Sequence, residues 1–383
     1  MSALALLGIV SAPPASAAPT CLGQEATDPA LVGSAGSDEL IGTSGPDVIV
    51  ARGGDDRIEG RGGNDIICGG GGDDVIFGGG GHDLIDAGPG PDSSVSGGGG
   101  DDRIRGRGGN DHILGGPGND RLVGGPGNDL LSGGGGYDYI RYDQAQDPGV
   151  TVNLRELHVT GGHGSDTLVG FEGLADVEGA YGSAFADTFI GNPADNIFIG
   201  GAGDDQFVAS RGADLLNGGD SGQGDRVSYQ DLWGSVTIDL AAGHATLPGD
   251  AGTKQRLTSI EAARGTRFAD TVIGNAAGNR LWGGGGNDAI RGAGGDDLIY
   301  GGSGADHLYG AKGSDHIRGG DGRDQIRGGG GSDRLFGEGH ADSIYGEGGN
   351  DLLAGGPGHD LLDGGQGHDR CRAGPGGASK RRC

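Results

Sequence analysis

One aliphatic residue in every nine is the strongest regularity along this chain. From Gly33 to Arg141 twelve nonapeptides follow one another, with one extra residue, Ser96, between the seventh and the eighth; five looser copies start at Gly182 and twelve more run from Gly265 to Arg372. The eighth place is Ile, Leu, Val or Phe in every copy except Ser94 and Cys371. "GGGGDDVIFGGGGHDLID", Gly69 to Asp86, shows two units in tandem: a glycine-rich turn, an aspartate, then one or two apolar side chains. About three residues per unit remain for a strand, too few to bury an anchor alone, so successive units must stack as the rungs of a solenoid. Glycines at the first, second and fourth places permit positive φ and close backbone approach. The fifth place is often Asn, Asp, Ser or His, as at Asn64, Asp73, His82 and Asn119; Asn and Asp tolerate the left-handed region best among residues with side chains.

Two stretches interrupt the repeat and resemble each other. Tyr142 with "VTVNL" (Val150 to Leu154) corresponds to Tyr229 with "VTIDL" (Val236 to Leu240), and "FADTFIGN" (Phe185 to Asn192) to "FADTVIGN" (Phe268 to Asn275). Their alternating β-branched residues predict irregular β segments that end one roll and start the next. The expected organisation is a leader over 1–17, an N-terminal cap segment 18–32 and a repeat block 33–141. An intervening segment 142–181, a block 182–228, a second intervening segment 229–264, a block 265–372 and a tail 373–383 complete it.

Composition narrows the class. Glycine makes up 95 of 383 residues and the apolar fraction is 33%, below the ~45–50% of ordinary domains, so one conventional core is not expected. The formal charge of -27, from 54 acidic and 27 basic residues, argues against nucleic acid and anionic lipid and for cations as partners. "ALALLGIV" (Ala3 to Val10) followed by "ASA" (Ala15 to Ala17) has the shape of a secretory leader, although no Lys or Arg precedes the apolar run. No later stretch approaches the ~20 apolar residues of a membrane span. A secreted, extracellular protein is the expectation. Four cysteines, Cys21, Cys68, Cys371 and Cys383, sit at the two ends. Three pairings are open to them; disulfides joining Cys21 to Cys68 and Cys371 to Cys383 are favoured, since each pair lies on one terminal segment, and a metal site is the rival.

Aspartate holds the sixth place in 27 of the 29 copies, with Asn196 and Asn279 in the other two. Neighbouring strands lie about 4.7–4.9 Å apart and Ca²⁺ sits about 2.3–2.6 Å from each oxygen. An ion midway between equivalent oxygens on successive rungs therefore fits the spacing of the solenoid, with turn carbonyls supplying further ligands. Mg²⁺, with shorter and stricter octahedral bonds, fits less well.

"GGPGNDRLV", "GGPGNDLLS" and "GGGGNDAIR" resemble the GGxGxDxUx nonapeptides of RTX (hemolysin-type) calcium-binding repeats. The resemblance implies an all-β parallel β-roll, in consecutive blocks, with two nonapeptides per coil and several Ca²⁺ held in the turns between copies n and n+2. It carries the ligand role to Asp47, Asp56, Asp65, Asp74, Asp83, Asp102, Asp111, Asp120, Asp129 and Asp138 in the first block, and to Asp205 in the second. In the third block it reaches Asp288, Asp297, Asp306, Asp315, Asp324, Asp333, Asp351 and Asp360. The copies with Asn196 and Asn279 depart from the pattern, and "AGPGPDSSV" lacks its anchor. The chain looks like a stand-alone secreted member rather than a toxin.

Catalytic motifs are absent: HExxH, GxSxG and Walker A patterns do not occur, "GDSG" (Gly219 to Gly222) is the kind of string a glycine-rich chain produces by chance, and His82, His359 and His368 sit at turn position five. The first reading is a non-enzymatic calcium-binding module. The alternatives are an extracellular, carbohydrate-active enzyme with acids in the intervening segments (Asp166, Glu172, Asp239, Glu261) and a permanently disordered acidic matrix chain.

Overall fold

The computed structural model describes residues 19–145, 149–161, 164–171, 174–220, 224–249 and 254–383. The expected leader and Glu172 lie outside them, and "GDSG" does in part.

Each nonapeptide contributes one short strand, and consecutive strands belong to opposite sheets. His112–Pro117 pairs in parallel with Leu130–Gly135, setting His112 against Leu130 and Ile113 against Leu131. Between them in sequence, Arg121–Val123 pairs in the other sheet with Arg103–Gly108 and Tyr139–Arg141. Copy n thus meets copy n+2, as two nonapeptides per coil require. Position eight faces inward from both sheets: Ile58, Ile67, Ile76 and Ile85 are all 0% exposed. These anchors join one continuous apolar cluster running from Leu31 to Leu362, so the core is a thread rather than a ball. The fold is an all-β parallel β-roll, in agreement with the sequence reading.

One anchor is not where a strict nine-residue count places it. Ser94 pairs with Val75, and Val95 pairs with Ile76 and Ile113. Val95, 1% exposed, is therefore the anchor of "AGPGPDSSV", and Ser96 pairs with Phe77 as an ordinary ninth residue. The extra residue falls just after Asp92, inside the copy. Strand register is set by which side chain the core accepts, and one added residue reverses every face until the pattern is restored.

The two intervening stretches are antiparallel hairpins spliced into the sheets. In the first, Thr151–Asn153, His158–Gly161 and Gly164–Leu168 pair antiparallel in turn. Its outer strands continue in parallel to Thr188–Ile190 and Leu130–Gly135. The second, Thr237–Asp239, His244–Thr246 and Lys254–Thr258, does the same in the opposite sheet, between Thr271–Ile273 and Leu215–Gly219. Hydrogen bonding passes through both stretches.

Both ends carry added structure. An antiparallel pair, Thr20–Cys21 with Gln24–Glu25, and a 3-10 turn at Pro29–Leu31 cover the first rungs. A last strand, Ala378–Arg381, lies on Asp360–Asp363. Disulfides join Cys21 to Cys68 and Cys371 to Cys383, the two pairings the positions favoured, and Cys371 pairs with Leu353 in the anchor register.

Candidate metal centres

Aspartate at position six is placed by the backbone it binds. The N–H of Asp111 donates to Oδ1 of Asp129 at 2.9 Å, and that of Asp120 to Oδ1 of Asp138 at 2.7 Å. In the third block the N–H of Asp297 donates to Oδ1 of Asp315 at 2.9 Å and that of Asp315 to Oδ1 of Asp333 at 2.8 Å. Each carboxylate is therefore locked to the copy two back. Two columns result, one along each edge of the roll; Asp111 and Asp129 share one, and Asp120 stands on the other.

The second carboxylate oxygen has a different fate. In twenty of the described aspartates Oδ2 is buried without any hydrogen-bond partner. Eighteen of the nineteen residues named from the sequence are among them; Asp47 is not, and Asp92 and Asp342 join the set. Every one of the twenty has a residue with positive φ at position two of its copy, from Glu347 (φ 71) to Gly329 (φ 121). In eighteen of these turns Oδ2 sits beneath a position-one glycine; Ala51 and Ala87 hold that place ahead of Asp56 and Asp92. A Cβ on Gly115 would lie 2.3 Å from Oδ2 of Asp120 and 2.5 Å from the carbonyl oxygen of Gly133, so a carboxylate and a carbonyl of the coil two copies on converge where no side chain fits.

Bare buried carboxylates stacked in columns are electrostatically costly. Burial pushes Asp129 up to about 7, with Asp166 and Asp111 adding like charge and the N–H of Asp111 acting in the opposite direction. Burial likewise raises Asp120 and Asp138 to about 7, and Asp92 to about 8. Either a proton or a cation relieves such a group.

One turn carries a protein-borne stand-in for the cation. The buried amide of Gln255 reaches across from the second hairpin, and its Nε2 donates to the carbonyls of Ser210 (3.0 Å) and Gly212 (3.3 Å) and to Oδ2 of Asp214 (2.6 Å). The carbonyls of positions two and four and the position-six carboxylate thus face one point. An all-oxygen set of carboxylate and main-chain carbonyl suits a hard divalent ion such as Ca²⁺. Among the described residues no group of three His, Cys, Asp or Glu side chains gathers to hold a metal, so carbonyls have to supply much of any coordination shell. Where the donor set is intact and Oδ2 is bare, the residues fit calcium.

Asp47 stands apart. Its Oδ2 accepts from the N–H of Thr43 at 2.6 Å and from the Thr43 hydroxyl at 2.9 Å. A hydroxyl at position two is the sequence signal for this. Asp92 was hidden by the shifted anchor at Val95, and Asp342 by His340 at the place of the fourth glycine, where φ is 73.

The acids considered for catalysis have structural partners. Asp166 accepts from the N–H of Asp129 (3.0 Å) and the Tyr142 hydroxyl (2.7 Å), Asp239 caps the N–H of Ala242 (2.8 Å), and Glu261 accepts from the N–H of Asp225 (3.2 Å). A groove of about 560 Å³ beside the second hairpin is lined by Tyr139, Asp195, Lys254 and Arg256, among others, and not by those acids. The position-five histidine His82 belongs to a turn ladder: its Nδ1 accepts from the N–H of Asp101 at 2.7 Å.

A comparison with curated proteins finds no match. The family model for the RTX calcium-binding nonapeptide repeat matches in overlapping copies across residues 32–147, 181–220 and 264–371, well over half of the chain. The chain belongs to the RTX calcium-binding nonapeptide-repeat family.

Proposed function

We propose that the protein is a secreted calcium-binding β-roll that folds on binding the ion and serves as an extracellular structural or interaction module. The observation that carries this reading is the set of twenty buried, unpartnered Oδ2 atoms in register along two edges. The proposed ligands are those twenty aspartates with the turn carbonyls beside them; Asp47, held by Thr43, is left out. The N-terminal apolar run and small-residue site support export, and the disulfides suit an oxidising compartment. A non-catalytic role is supported by the way Asp166, Asp239 and Glu261 are spent on register and turns.

Calorimetric titration of the mature protein with Ca²⁺, followed in parallel by circular dichroism, tests this. Calcium should bind at many sites and build the β spectrum, with affinities of order 10⁻⁴ to 10⁻³ M as in extracellular modules. Asp65→Asn should reduce the number of ions bound and Asp47→Asn should not. A β spectrum indifferent to chelator would defeat the proposal.

A further inference from the structure

Among the described residues 27 of the 29 repeat turns take one of two forms, unevenly distributed along the chain; the turns of Asp225 and Asp369 have a positive-φ glycine at position two but are not among the bare ones. In the open form position two has positive φ and Oδ2 is bare. In the closed form position two is Ser, Thr or Asn without positive φ. There the turn satisfies itself. Ser183 donates its N–H to Oδ2 of Asp187 at 2.6 Å, while its hydroxyl accepts from the N–H of Phe185 at 3.1 Å. Asn192 donates to Oδ1 of Asn196 at 3.0 Å and accepts from Ala194, and Asn275 donates to Oδ1 of Asn279 at 2.7 Å and accepts from Ala277. Thr266 holds Asp270 in the same way. A fifth closed turn, at Ser210, has the Gln255 amide on Asp214, and beside the first hairpin the Tyr142 hydroxyl covers Oδ2 of Asp166.

Five of the seven closed turns lie between Tyr142 and Trp282; the other two, at Ser34 and Thr43, open the first block. Among the described residues bare Oδ2 atoms show the converse: ten in the block before Tyr142, nine after Trp282, and one, Asp205, between. The central section also has the heaviest core. Phe189 stacks on Phe198 and Phe207 with ring centroids 5.2 Å apart in both cases, where the outer blocks have Ile and Leu apart from Val95 and Cys371. The hairpins add Val152 and Ile238, both 0% exposed. Phenylalanine and the added apolar residues bury more surface per coil than one aliphatic anchor does.

We infer that the section from Tyr142 to Trp282 holds its fold without calcium, through side chains that take the ion's place, whereas the repeat blocks on either side fold only with it. The second half of this statement rests on the function proposed above; the first half does not. The device is a metal-independent nucleus with a calcium-dependent arm on each side, and Gln255 is the positioning residue that replaces an ion at Asp214.

Hydrogen exchange of the full mature protein, read by mass spectrometry in excess calcium and in excess chelator, tests it. In chelator, protection should persist at Thr188–Ile190, Gln206–Val208 and Thr271–Ile273 and be lost at Leu130–Gly135 and His316–Asp321. Loss everywhere in chelator with recovery everywhere in calcium would overturn the nucleus and leave calcium-driven folding intact. Protection everywhere in both conditions would overturn both. Gln255→Ala should speed exchange in chelator at Leu215–Gly219 by about tenfold or more, and Gln255→Lys, which keeps an N–H donor, should restore part of the protection. Unchanged exchange in Gln255→Ala would remove the amide from this role.

Discussion

At the scale of single residues, a carboxylate with one oxygen bonded and the other bare responds to whatever positive charge is at hand. In the folded chain Asp120, Asp129 and Asp138 are raised from 3.8 to about 7, first by burial. A group raised on folding contributes stability that is fully present below its unfolded value and lost as pH rises through its folded value. For the metal-free protein the window runs from about 3.8 to about 7, so acid should strengthen it. In chelator, the β-sheet circular dichroism should grow as the buffer is taken from about pH 8 to about pH 5. A flat or falling signal over that range would count against the buried carboxylates as the destabilising element. Calcium affinity should move the other way, since its ligands must be deprotonated. The place of these aspartates was legible in the sequence because the repeat gives them one address. The identity of their partners was only partly so. Thr43 on Asp47 is a local contact readable from a hydroxyl four residues upstream, but Gln255 reaches Asp214 from 41 residues away, and no periodicity reports such a contact.

At the scale of the turn, most copies have glycine at the second and fourth places, where space as well as φ favours it, although Arg52, Glu338 and Glu347 hold a positive φ at the second place and His340 at the fourth. In the copy Gly124 to Ser132, Gly127 has φ 152, and a Cβ there would lie 1.6 Å from the carbonyl oxygen of Gly109; Gly135, at the third place of the next copy, has nothing within 4 Å. Gly127→Ala should therefore destabilise the calcium-loaded protein by more than about 2 kcal/mol, the turn having no room to give, and Gly135→Ala should stay within about 0.5 kcal/mol. Thermal unfolding in calcium compares the two directly, and equal midpoints would mean the turns are looser than described. The same geometry explains the limits of reading strands from a repeat. A fixed count of nine put the anchor at Ser94, whereas the core took Val95, because burial selects the apolar neighbour and the turn absorbs the added residue. The hairpins were visible as β-branched alternation in "VTVNL" and "VTIDL"; their insertion into opposite sheets was not, since strand pairing between distant segments leaves no mark on either one.

At the scale of the whole molecule, a one-coil-wide core has two ends and each end is an unfinished rung. The parallel strands of a coil expose a row of N–H and C=O groups to whatever follows, and the next coil is, chemically, another copy of the same thing. The N-terminal end is covered by the Thr20–Glu25 pair tied at Cys21 to Cys68. The C-terminal end finishes in Ala378–Arg381, a further parallel strand beside Asp360–Asp363, tied at Cys383 to Cys371 and with Arg382 paired to Asp363. These ties are expected to hinder the addition of a further coil. Cutting them with a mild reductant in the presence of calcium should release the terminal strands while the coils stay formed, and the freed ends should stack head to tail. The expected product is a filament one roll wide, seen by electron microscopy and rising light scattering, appearing only when both bonds are open and calcium is present. A reduced, calcium-loaded protein that remained monomeric would show that the ends are protected by something other than their ties. The disulfides, on this argument, serve less to hold the fold together than to set its length.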